Sequence, residues 1–337
     1  MHLGLEMSTA TSTLNGASAC EATGYLPIAV GTLAPAENLD FEVTALVRPG
    51  TETKRYAEFQ NAVEIVNLNL ADIPALKDYI WKNRFDCILH IGALRGGRKF
   101  SRDEYLKANL HSTEQFAEYC LENRAKLIFC SSVGVFGAIP EELPANNETE
   151  RNPDNYYHFT KIESEKVINR AVMKGLDAAI LRPSITYGTG DKGFPYQLVR
   201  LVSMNRFPLI DKRVWIHLCH IDTITAAFTW LLKNEFAPGL SLNVADRDPV
   251  QLSELVNFIS RQVHGANYHG LFRFDRRFFR MGEWLAKKMK NELWVSRFQL
   301  ISRSWFYQVD PTYELMRLPE TFTIPGIQIV IAEFLEK

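Results

Sequence analysis

The sequence has almost no net charge, and it lacks the segments that mark membrane and secreted proteins. Its 38 Lys and Arg residues balance 39 Asp and Glu residues, so the formal net charge is -1. This balance gives no electrostatic case for a nucleic-acid partner. No run of about 18 apolar residues occurs, and the first 30 residues have neither a basic start nor an apolar stretch. We therefore expect a cytoplasmic protein with no membrane partner.

The cysteines and histidines are not spaced as metal ligands. The five cysteines form no C-x-x-C pair, and three of them lie in apolar strand or helix patterns, which suits reduced thiols in a core. His217 and His220 lie three residues apart in an apolar segment with no third ligand in view. We therefore predict structural histidines and no bound metal. The cysteines are Cys20, Cys87, Cys120, Cys130 and Cys219.

The order of apolar runs predicts the fold class. The 337 residues are 46% apolar and 23% charged, enough for a large core. From residue 40 to 185, short apolar runs alternate with longer amphipathic segments, which predicts an α/β fold with a doubly wound parallel sheet. Ligands bind such sheets at the carboxyl ends of the strands. The predicted strands are 43–48, 62–66, 86–91, 126–131 and 178–182, and the predicted helices are 73–83, 103–123 and 155–173.

The residues most informative about the chemistry of this chain are Ser132, Tyr157 and Lys161. Tyr157 and Lys161 are four residues apart, so on a helix they share one face and the ammonium favours the ionised phenol. Free tyrosine titrates near pH ~10, so work at neutral pH needs a pKa depression of roughly 3 units, or about 4 kcal/mol. Such a pair also arises by chance on surface helices. Ser132 ends the apolar run 126–132, which predicts a hydroxyl at the mouth of the sheet.

Five sequence words, in chain order, resemble those of the extended short-chain dehydrogenase/reductases, the family of NAD-dependent epimerases and dehydratases. They are S-S-V-G-V-F-G (131–137), Y-H-F-T-K (157–161), L-R-P-S-I-T-Y-G (181–188), H-I-D (220–222) and L-N-V-A-D (242–246). The resemblance covers nearly the whole chain. It implies a Rossmann-like domain that binds a dinucleotide and a smaller carboxyl-terminal lobe that binds the substrate.

The resemblance also implies an organisation of the chain. Residues 1–40 are expected to be a divergent amino-terminal segment with a degenerate first strand and glycine loop. Residues 41–185 are expected to form the dinucleotide-binding Rossmann domain, and residues 186–337 the substrate lobe, with some interleaving. By the same analogy we expect a homodimer that pairs through helices 103–123 and 155–173.

Each matching residue takes a role from the resemblance. Tyr157 is the expected acid/base, Lys161 binds the nicotinamide ribose and lowers the pKa of Tyr157, and Ser132 hydrogen-bonds the substrate oxygen. Asn109, in K-A-N-L-H-S-T, matches a family asparagine near the base. Val133 is expected beside the substrate. The further expected cofactor contacts are Asn69, Leu70, Ile91, Gly92, Ala93 and Pro183.

The glycine-rich phosphate loop of the family is largely missing. Residues 21–27 read E-A-T-G-Y-L-P, which keeps only the middle glycine of G-x-x-G-x-x-G. Pro27 removes an N–H and Glu21 adds a negative charge near phosphates, so both changes disfavour binding. Residues 8–20 lack the apolar run of a buried first strand, although the interval from residue 27 to residue 43 has the length of the missing helix. A divergent or translation-altered terminus predicts feeble dinucleotide affinity; the alternative is a repurposed loop. The candidate contacts here are Gly24, Tyr25 and Leu26.

Arg48 bears on the choice of cofactor. It closes the strand 43–48, where an acidic residue would accept the ribose hydroxyls of NAD and a guanidinium suits the 2′-phosphate of NADP. NADP is therefore mildly favoured over NAD. The alternative is a solvated Arg48 before the Pro49-Gly50 turn.

The absence of an Asp-Glu pair after Ser132 bears on which reaction the chain would catalyse. Family dehydratases carry Asp-Glu directly after the active-site hydroxyl residue, whereas Val133 and Gly134 follow Ser132, so dehydration is disfavoured. We expect hydride removal from a secondary alcohol or its delivery to a ketone, on a small-molecule substrate. A nucleotide-sugar epimerase is favoured. A reductase of ketones, hydroxysteroids or dihydroflavonols stays open, as does a catalytically silent binding protein that lost its phosphate loop.

Two basic features of the carboxyl-terminal half have alternative interpretations. Arg213 stands roughly where sugar-nucleotide enzymes of the family keep an arginine for the diphosphate, and it is otherwise a surface residue beside Lys212. The stretch L-F-R-F-D-R-R-F-F-R (271–280) predicts an amphipathic helix with a solvated basic face, or a clamp for a nucleotide.

Overall fold

The computed structural model describes residues 28–32, 42–53, 57, 63–95, 100–190, 192–210, 213–270, 273–289 and 291–336. Three of the predicted cofactor contacts, Gly24, Tyr25 and Leu26, lie outside the described residues. The chain divides into two compact units that alternate along the sequence. Unit 1 consists of Met1–Ser131, Thr160–Leu181 and Phe228–Ser241, and unit 2 consists of Ser132–Phe159, Arg182–Ala227 and Leu242–Lys337.

The strands are β1 (Ile28–Thr32), β2 (Glu42–Val47), β3 (Glu64–Asn67), β4 (Cys87–His90), β5 (Lys126–Cys130), β6 (Ala178–Pro183), β7 (Ile185–Tyr187), β8 (Leu209–Ile210), β9 (Trp215–Ile216), β10 (Leu218–His220), β11 (Leu240–Val244), β12 (Val250–Gln251) and β13 (Arg273–Phe274). Seven of them form one sheet in the order β11-β6-β5-β4-β1-β2-β3. The pairs β2–β3, β4–β5 and β5–β6 are parallel. The predicted α/β fold with a Rossmann-like sheet is therefore confirmed, and the full burial of β4 and β6 explains why their sequences are continuous apolar runs.

The central strand β1 departs from the prediction. It runs antiparallel to both neighbours, with Ile28 opposite Leu46 of β2 and Ala29 opposite Leu89 of β4. The helix expected between residues 27 and 43 is therefore wrong for residues 28–32. The β-branched residues of I-A-V-G-T alternate along this segment, a pattern that suits a strand. As a result the amino end of β1, and not its carboxyl end, lies at the edge where β2 and β4 end.

The helices are α1 (Ile73–Lys82), α2 (Arg102–Tyr105), α3 (Ser112–Asn123), α4 (Tyr156–Val172), α5 (Phe194–Ser203), α6 (Ile221–Lys233), α7 (Leu252–His264), α8 (Arg276–Lys288), α9 (Glu292–Ser302), α10 (Asp310–Met316), α11 (Thr323–Gly326) and α12 (Gln328–Leu335). A π-helical turn, Leu106–His111, joins α2 to α3, and a 3₁₀ turn, Val133–Phe136, follows β5. Ser101 and Glu104 form a capping box that starts α2, and Arg124 ends α3 with a φ of +57°.

Helices α1 and α3 supply the core on one face of the unit 1 sheet. Leu76 and Ile80 of α1, and Phe116 and Cys120 of α3, are spaced four residues apart and are buried with Ile88 of β4. This spacing places each pair on one side of its helix, against the sheet. The packing fixes the strands whose carboxyl ends carry the predicted cofactor contacts.

In unit 2 a buried carboxylate, Asp246, ties four segments together. It accepts hydrogen bonds from the Tyr187 hydroxyl at 2.7 Å, the His220 backbone N–H at 2.8 Å, and the hydroxyls of Thr321 and Thr323 at 3.1 and 2.5 Å. Burial, reinforced by the Asp246 charge, raises the pKa of Tyr187, so the phenol stays a donor. The last residue of L-N-V-A-D and the tyrosine of I-T-Y-G therefore hold unit 2 together.

Candidate active site

Helix α4 carries both Tyr157 and Lys161, one turn apart. Residues spaced by four share a helix face, so the helix provides the arrangement that the sequence predicts. The boundary between the units falls inside α4, which assigns Tyr157 to unit 2 and Lys161 to unit 1. Tyr157 is half-buried, whereas Lys161 is buried. Tyr157 is therefore only partly removed from solvent, and the ammonium of Lys161 lies within the body of unit 1.

The Lys161 ammonium is held by a backbone carbonyl and an aromatic ring. Its Nζ donates a hydrogen bond of 2.5 Å to the carbonyl oxygen of Cys130 and lies 4.5 Å from the centre of the Phe129 ring. Burial lowers the pKa of Lys161 to about 8; the Cys130 thiol opposes this shift, Arg95 adds to it and Glu165 opposes it. Because this pKa lies only about one unit above neutral pH, the amine is still mostly charged at pH 7.

Asn109 lies in the π-helical turn and fixes the segment that follows β4. Its Oδ1 accepts from the Leu94 N–H at 2.7 Å, and its Nδ2 donates to the Leu94 carbonyl at 3.0 Å and to the Thr160 hydroxyl at 2.9 Å. π-Helical turns often mark functional sites. Both amide donors of Asn109 are thus engaged with the protein, and within unit 1 its contacts position Leu94 and Thr160.

Glu165 is a buried carboxylate that the sequence reasoning missed. Its Oε1 accepts a hydrogen bond of 2.6 Å from the Ser131 hydroxyl. Since Glu165 follows Lys161 by four residues, it continues the same side of α4. The spacing Y-x-x-x-K-x-x-x-E was the available signal. Ser131 and Ser132, adjacent in sequence, therefore differ: Ser131 is buried and engaged, and Ser132 is half-buried.

His90, the last residue of β4, is buried as a neutral imidazole. Its Nε2 lies 2.9 Å from the Thr113 hydroxyl. Burial, and secondly the charge of Lys161, lower the pKa of His90 well below its usual value. The Thr113 hydroxyl donates to the Asn109 carbonyl at 2.6 Å, so it accepts from His90 and the proton resides on Nε2. His90 therefore adds no second positive charge near Lys161.

In unit 2 Ser132 caps the 3₁₀ turn that follows β5. Its Oγ accepts a hydrogen bond of 3.1 Å from the Gly134 N–H. This bond uses an oxygen lone pair, so the hydroxyl proton stays available for donation. Val133, predicted beside the substrate, is buried within the same turn.

The first turn of α4 packs directly on that 3₁₀ turn. A Cβ at Gly134 would lie 2.1 Å from Nε2 of His158, so the imidazole occupies the space that any side chain at position 134 would need. His158 Nδ1 contacts the Asp154 carboxylate and lies 3.0 Å from Nδ2 of Asn155, whose Oδ1 also accepts from the His158 N–H at 2.9 Å. These contacts place the turn that carries Tyr157 against the turn that Ser132 caps. The sequence offered no signal for this packing.

The structure places the other predicted cofactor contacts as follows. Arg48, half-buried, directly follows β2, and its carbonyl accepts from the Thr51 hydroxyl at 2.7 Å. Asn69 is exposed and turns the chain towards α1 by accepting from the Ala71 N–H at 3.1 Å, whereas Leu70 is buried in the core of unit 1. After β4 the chain is buried at residues Ile91, Gly92 and Ala93, and Pro183 is buried at the end of β6.

The remaining predicted residues lie elsewhere in unit 2. Arg213 is exposed just before β9. His217 is buried, with Nε2 2.7 Å from the Asp246 carbonyl and Nδ1 accepting from the Tyr307 N–H at 3.2 Å. Both ring nitrogens are therefore satisfied by backbone groups. For His217 these contacts agree with the structural role predicted from the sequence, and the His220 backbone N–H is bonded to Asp246.

Metal-binding clusters and membrane-spanning helices are both absent from the described part of the chain. There, no group of three or more His, Cys, Asp and Glu side chains is arranged to hold a metal. None of the helices in the same residues is long and apolar enough to span a membrane. The cysteines described are buried thiols, namely Cys87, Cys120, Cys130 and Cys219.

Comparison with known proteins decides the family. Residues 30–245 match the profile of the NAD dependent epimerase/dehydratase family. The chain belongs to this family. A UDP-glucose 4-epimerase of Caenorhabditis elegans is 28% identical over 166 residues, which are 44% of this chain and 47% of that protein. A UDP-glucose 4-epimerase of Vibrio cholerae is 32% identical over 102 residues, 29% of this chain and 31% of that protein. The chain thus spans less than half the length of these curated relatives.

Solved structures share the fold of this epimerase/dehydratase family member. UDP-glucuronic acid 4-epimerase from Bacillus cereus, in complex with NAD, is 15% identical, with a TM-score of 0.63 over 87% of this chain and 90% of that chain. At this identity the likeness shows the fold alone.

The family implies a dinucleotide, and unit 1 has the edge to receive one. The strands β2, β3, β4 and β5 run in the same direction and end at the same edge, where they are followed by Arg48, Asn69, Ile91 and Ser131. Polar and cationic groups at strand ends suit the adenosine ribose, and Lys161, bonded to Cys130 at this edge, suits the nicotinamide ribose. These residues fit the cofactor. A phosphate loop placed after β1, in contrast, would begin at the opposite edge.

Proposed function

We propose that this protein is an NAD(P)-dependent epimerase that inverts a secondary alcohol of a nucleotide sugar, with UDP-hexoses as the substrate class. The observation that carries the proposal is the half-buried Tyr157 on α4, followed one turn later by the buried ammonium of Lys161. Family membership and the two UDP-glucose 4-epimerase relatives support the substrate class.

The side chains divide the acid–base work between them. Tyr157, as phenolate, takes the proton of the substrate hydroxyl, and Ser132 donates its hydroxyl proton in a hydrogen bond to the same oxygen. A bound dinucleotide would supply the hydride acceptor, and then the hydride donor, for the substrate carbon. Tyr157 then gives the proton back to the oxygen of the inverted alcohol, so no net oxidation occurs.

Lys161 is proposed to make the phenolate accessible at neutral pH. Its charge is held one turn from Tyr157 by the Cys130 carbonyl, and a positive charge favours the ionised phenol. Asn109 is proposed as a positioning residue, because its amide engages Leu94 and Thr160, the residue just before Lys161.

Interconversion of UDP-glucose and UDP-galactose tests the proposal. Purified protein would be incubated with either sugar nucleotide and with NAD or NADP, and the product would be followed by proton NMR. Replacing Tyr157 by Phe should lower the rate by roughly 10²- to 10⁴-fold, the usual contribution of a general acid–base. The neighbouring Tyr156→Phe variant removes the same atom from the same helix turn and should remain active.

Other outcomes separate the competing functions. Net consumption of NADPH with a ketone, without sugar inversion, would favour a reductase. A ligand that binds only the folded state must stabilise it. If neither NAD nor NADP raises the melting temperature, the result would favour a catalytically silent binding protein.

We further propose that Arg48 makes NADP at least as good a ligand as NAD. A guanidinium at the end of β2 suits a 2′-phosphate. Replacing Arg48 by Asp should weaken NADP binding by at least ~10-fold while NAD binding is retained, a difference of about 1.4 kcal/mol. A clear preference of the unaltered protein for NAD would count against this assignment.

A further inference from the structure

Helix α8 exposes a continuous apolar surface. Its exposed apolar side chains recur at spacings of three, four and seven residues, which places them on one side of the helix. We call this surface the α8 face. It consists of Phe278, Met281, Trp284, Leu285 and Met289, with exposed fractions of 38%, 61%, 60%, 50% and 69%. Large apolar groups grouped in this way usually mark an interaction site.

The opposite side of α8 is already packed within unit 2. Phe279 and Ala286 are buried, and a Cβ at Gly282 would lie 2.7 Å from the Phe298 ring of α9, so the glycine permits close approach of the two helices. Glu283 is also buried, and it accepts hydrogen bonds from Gln299 at 2.9 Å and Arg303 at 2.6 Å. The α8 face is therefore the side of the helix that is turned away from its packing contacts in unit 2.

The exposed charged residues described within helix α8 are cationic, and Asp275, which caps the amino end of the helix, is an exposed carboxylate. Arg277, Arg280 and Lys288 are exposed on the helix, and the Lys288 ammonium lies 5.3 Å from the centre of the Trp284 ring. The single acidic residue of the helix, Glu283, points inward and is bonded to Arg303 and Lys287. The exposed side thus combines large apolar groups with cations and no carboxylate from the same helix.

We propose that α8 is an interfacial helix that binds the surface of anionic membranes. Tryptophan and other large apolar groups partition into the boundary between headgroups and acyl chains, while arginine and lysine meet the phosphates of anionic lipids. The alternative of a symmetric contact between two copies would bring like charges together, which is unfavourable. An anionic lipid surface, in contrast, satisfies both the apolar and the cationic groups. This proposal is independent of the proposed epimerase activity, and it departs from the expectation from the sequence that the protein has no membrane partner.

Flotation with lipid vesicles tests the proposal on the full chain. One set of vesicles would contain phosphatidylcholine only, and the other phosphatidylcholine with 30% phosphatidylglycerol. We expect binding to the anionic set at low salt and weaker binding in 0.5 M NaCl. The charge variant, with Arg277, Arg280 and Lys288 replaced by Gln, should bind about 100-fold more weakly, since each cation near the surface contributes roughly 5-fold.

A second variant removes the apolar part of the α8 face. Replacing Met281, Trp284 and Leu285 by Ala should lower binding to anionic vesicles by at least ~100-fold, because burial of each side chain contributes roughly 10-fold or more. Two matched controls change residues that are exposed elsewhere and should bind like the unaltered protein. The controls are Met173, Leu315 and Leu335 replaced by Ala, and Lys82, Lys166 and Lys174 replaced by Gln.

Three results would overturn the proposal. These are no binding to anionic vesicles at low salt, equal binding to both vesicle sets, or equal loss of binding in variants and controls. Light scattering that shows a dimer, which the Trp284→Ala change dissociates, without any vesicle binding would assign the α8 face to a second copy of the chain instead.

Discussion

Gly134 and His158 form a tight contact whose energy can be measured by a double-mutant cycle. A Cβ at position 134 would lie 2.1 Å from Nε2 and 2.3 Å from Cδ2 of His158. Ordinary contacts between such atoms are ~3.5 to 4 Å. The Gly134→Ala change therefore forces either the 3₁₀ turn or the imidazole to move. The turn is the one that Ser132 caps, and the imidazole adjoins Tyr157.

The size of the effect follows from what holds the imidazole. His158 bonds to the Asp154 carboxylate and lies 3.0 Å from the Asn155 amide, so the ring cannot swing aside without losing these contacts. Overpacking of this kind costs about 2 kcal/mol. Replacing His158 by Ala loses its polar contacts at a cost of about 1 kcal/mol. In the double variant the clash is absent, so its cost should equal that of His158→Ala, and the coupling should be about 2 kcal/mol in magnitude.

Urea unfolding of the four proteins, followed by circular dichroism, measures each of these free energies. We expect Gly134→Ala to be the less stable single variant and the double variant to recover about 1 kcal/mol relative to it. The reasoning fails if Gly134→Ala unfolds within about 0.5 kcal/mol of the unaltered protein, or if the two single changes are additive.

Further predictions concern three buried polar residues. Lys161→Met should raise the free energy of unfolding by about 2 kcal/mol at pH 7. The change removes the cost of burying a charged amine, which lowers its pKa to about 8, and this gain is partly offset by loss of the hydrogen bond to the Cys130 carbonyl. The folded pKa lies below the unfolded value of 10.5, so this gain should shrink as pH rises from about 8 to 10.5, and unfolding at pH 7 and 10.5 checks it. The same titration should make activity fall above pH ~8, seen in a pH–rate profile. Asp246→Asn should cost about 2 to 4 kcal/mol in urea unfolding, because it disrupts four hydrogen bonds to a buried carboxylate. Asn109→Ala should reduce kcat more than it raises KM, and an unchanged kcat would contradict a positioning role.

Much of the sheet and of α4 was predictable from the sequence, because apolar runs and helical periodicity are local signals. The strand predicted at 43–48 corresponds to β2 at Glu42–Val47, and the helix predicted at 155–173 corresponds to α4 at Tyr156–Val172. The antiparallel β1 was not predictable in this way. Five residues with β-branched alternation indicate a strand, but its direction depends on which neighbours it pairs with, and that is a property of the assembled sheet.

The candidate site was predictable where a residue acts through spacing on one element, as Tyr157 and Lys161 do on α4. It was not predictable where partners are distant in sequence. The bond of Ser131 to Glu165 joins residues 34 apart, and the bond of Asn109 to Thr160 joins residues 51 apart. No single-element pattern encodes such pairs. The apolar character of the α8 face was likewise not predicted, because the prediction covered residues 271–280 and placed a solvated basic face there, whereas four of the five side chains of the α8 face lie at positions 281–289.

The proposed epimerase activity depends on Tyr157 as acid–base, supported by the charge of Lys161. The most direct test is conversion of UDP-glucose that carries deuterium at C4, with added dinucleotide and mass and NMR analysis of the product. We predict UDP-galactose that retains deuterium at C4, formed by the unaltered protein and by Tyr156→Phe but not by Tyr157→Phe. Product formation by Tyr157→Phe at the unaltered rate, or no product from the unaltered protein with dinucleotide bound, would contradict the account.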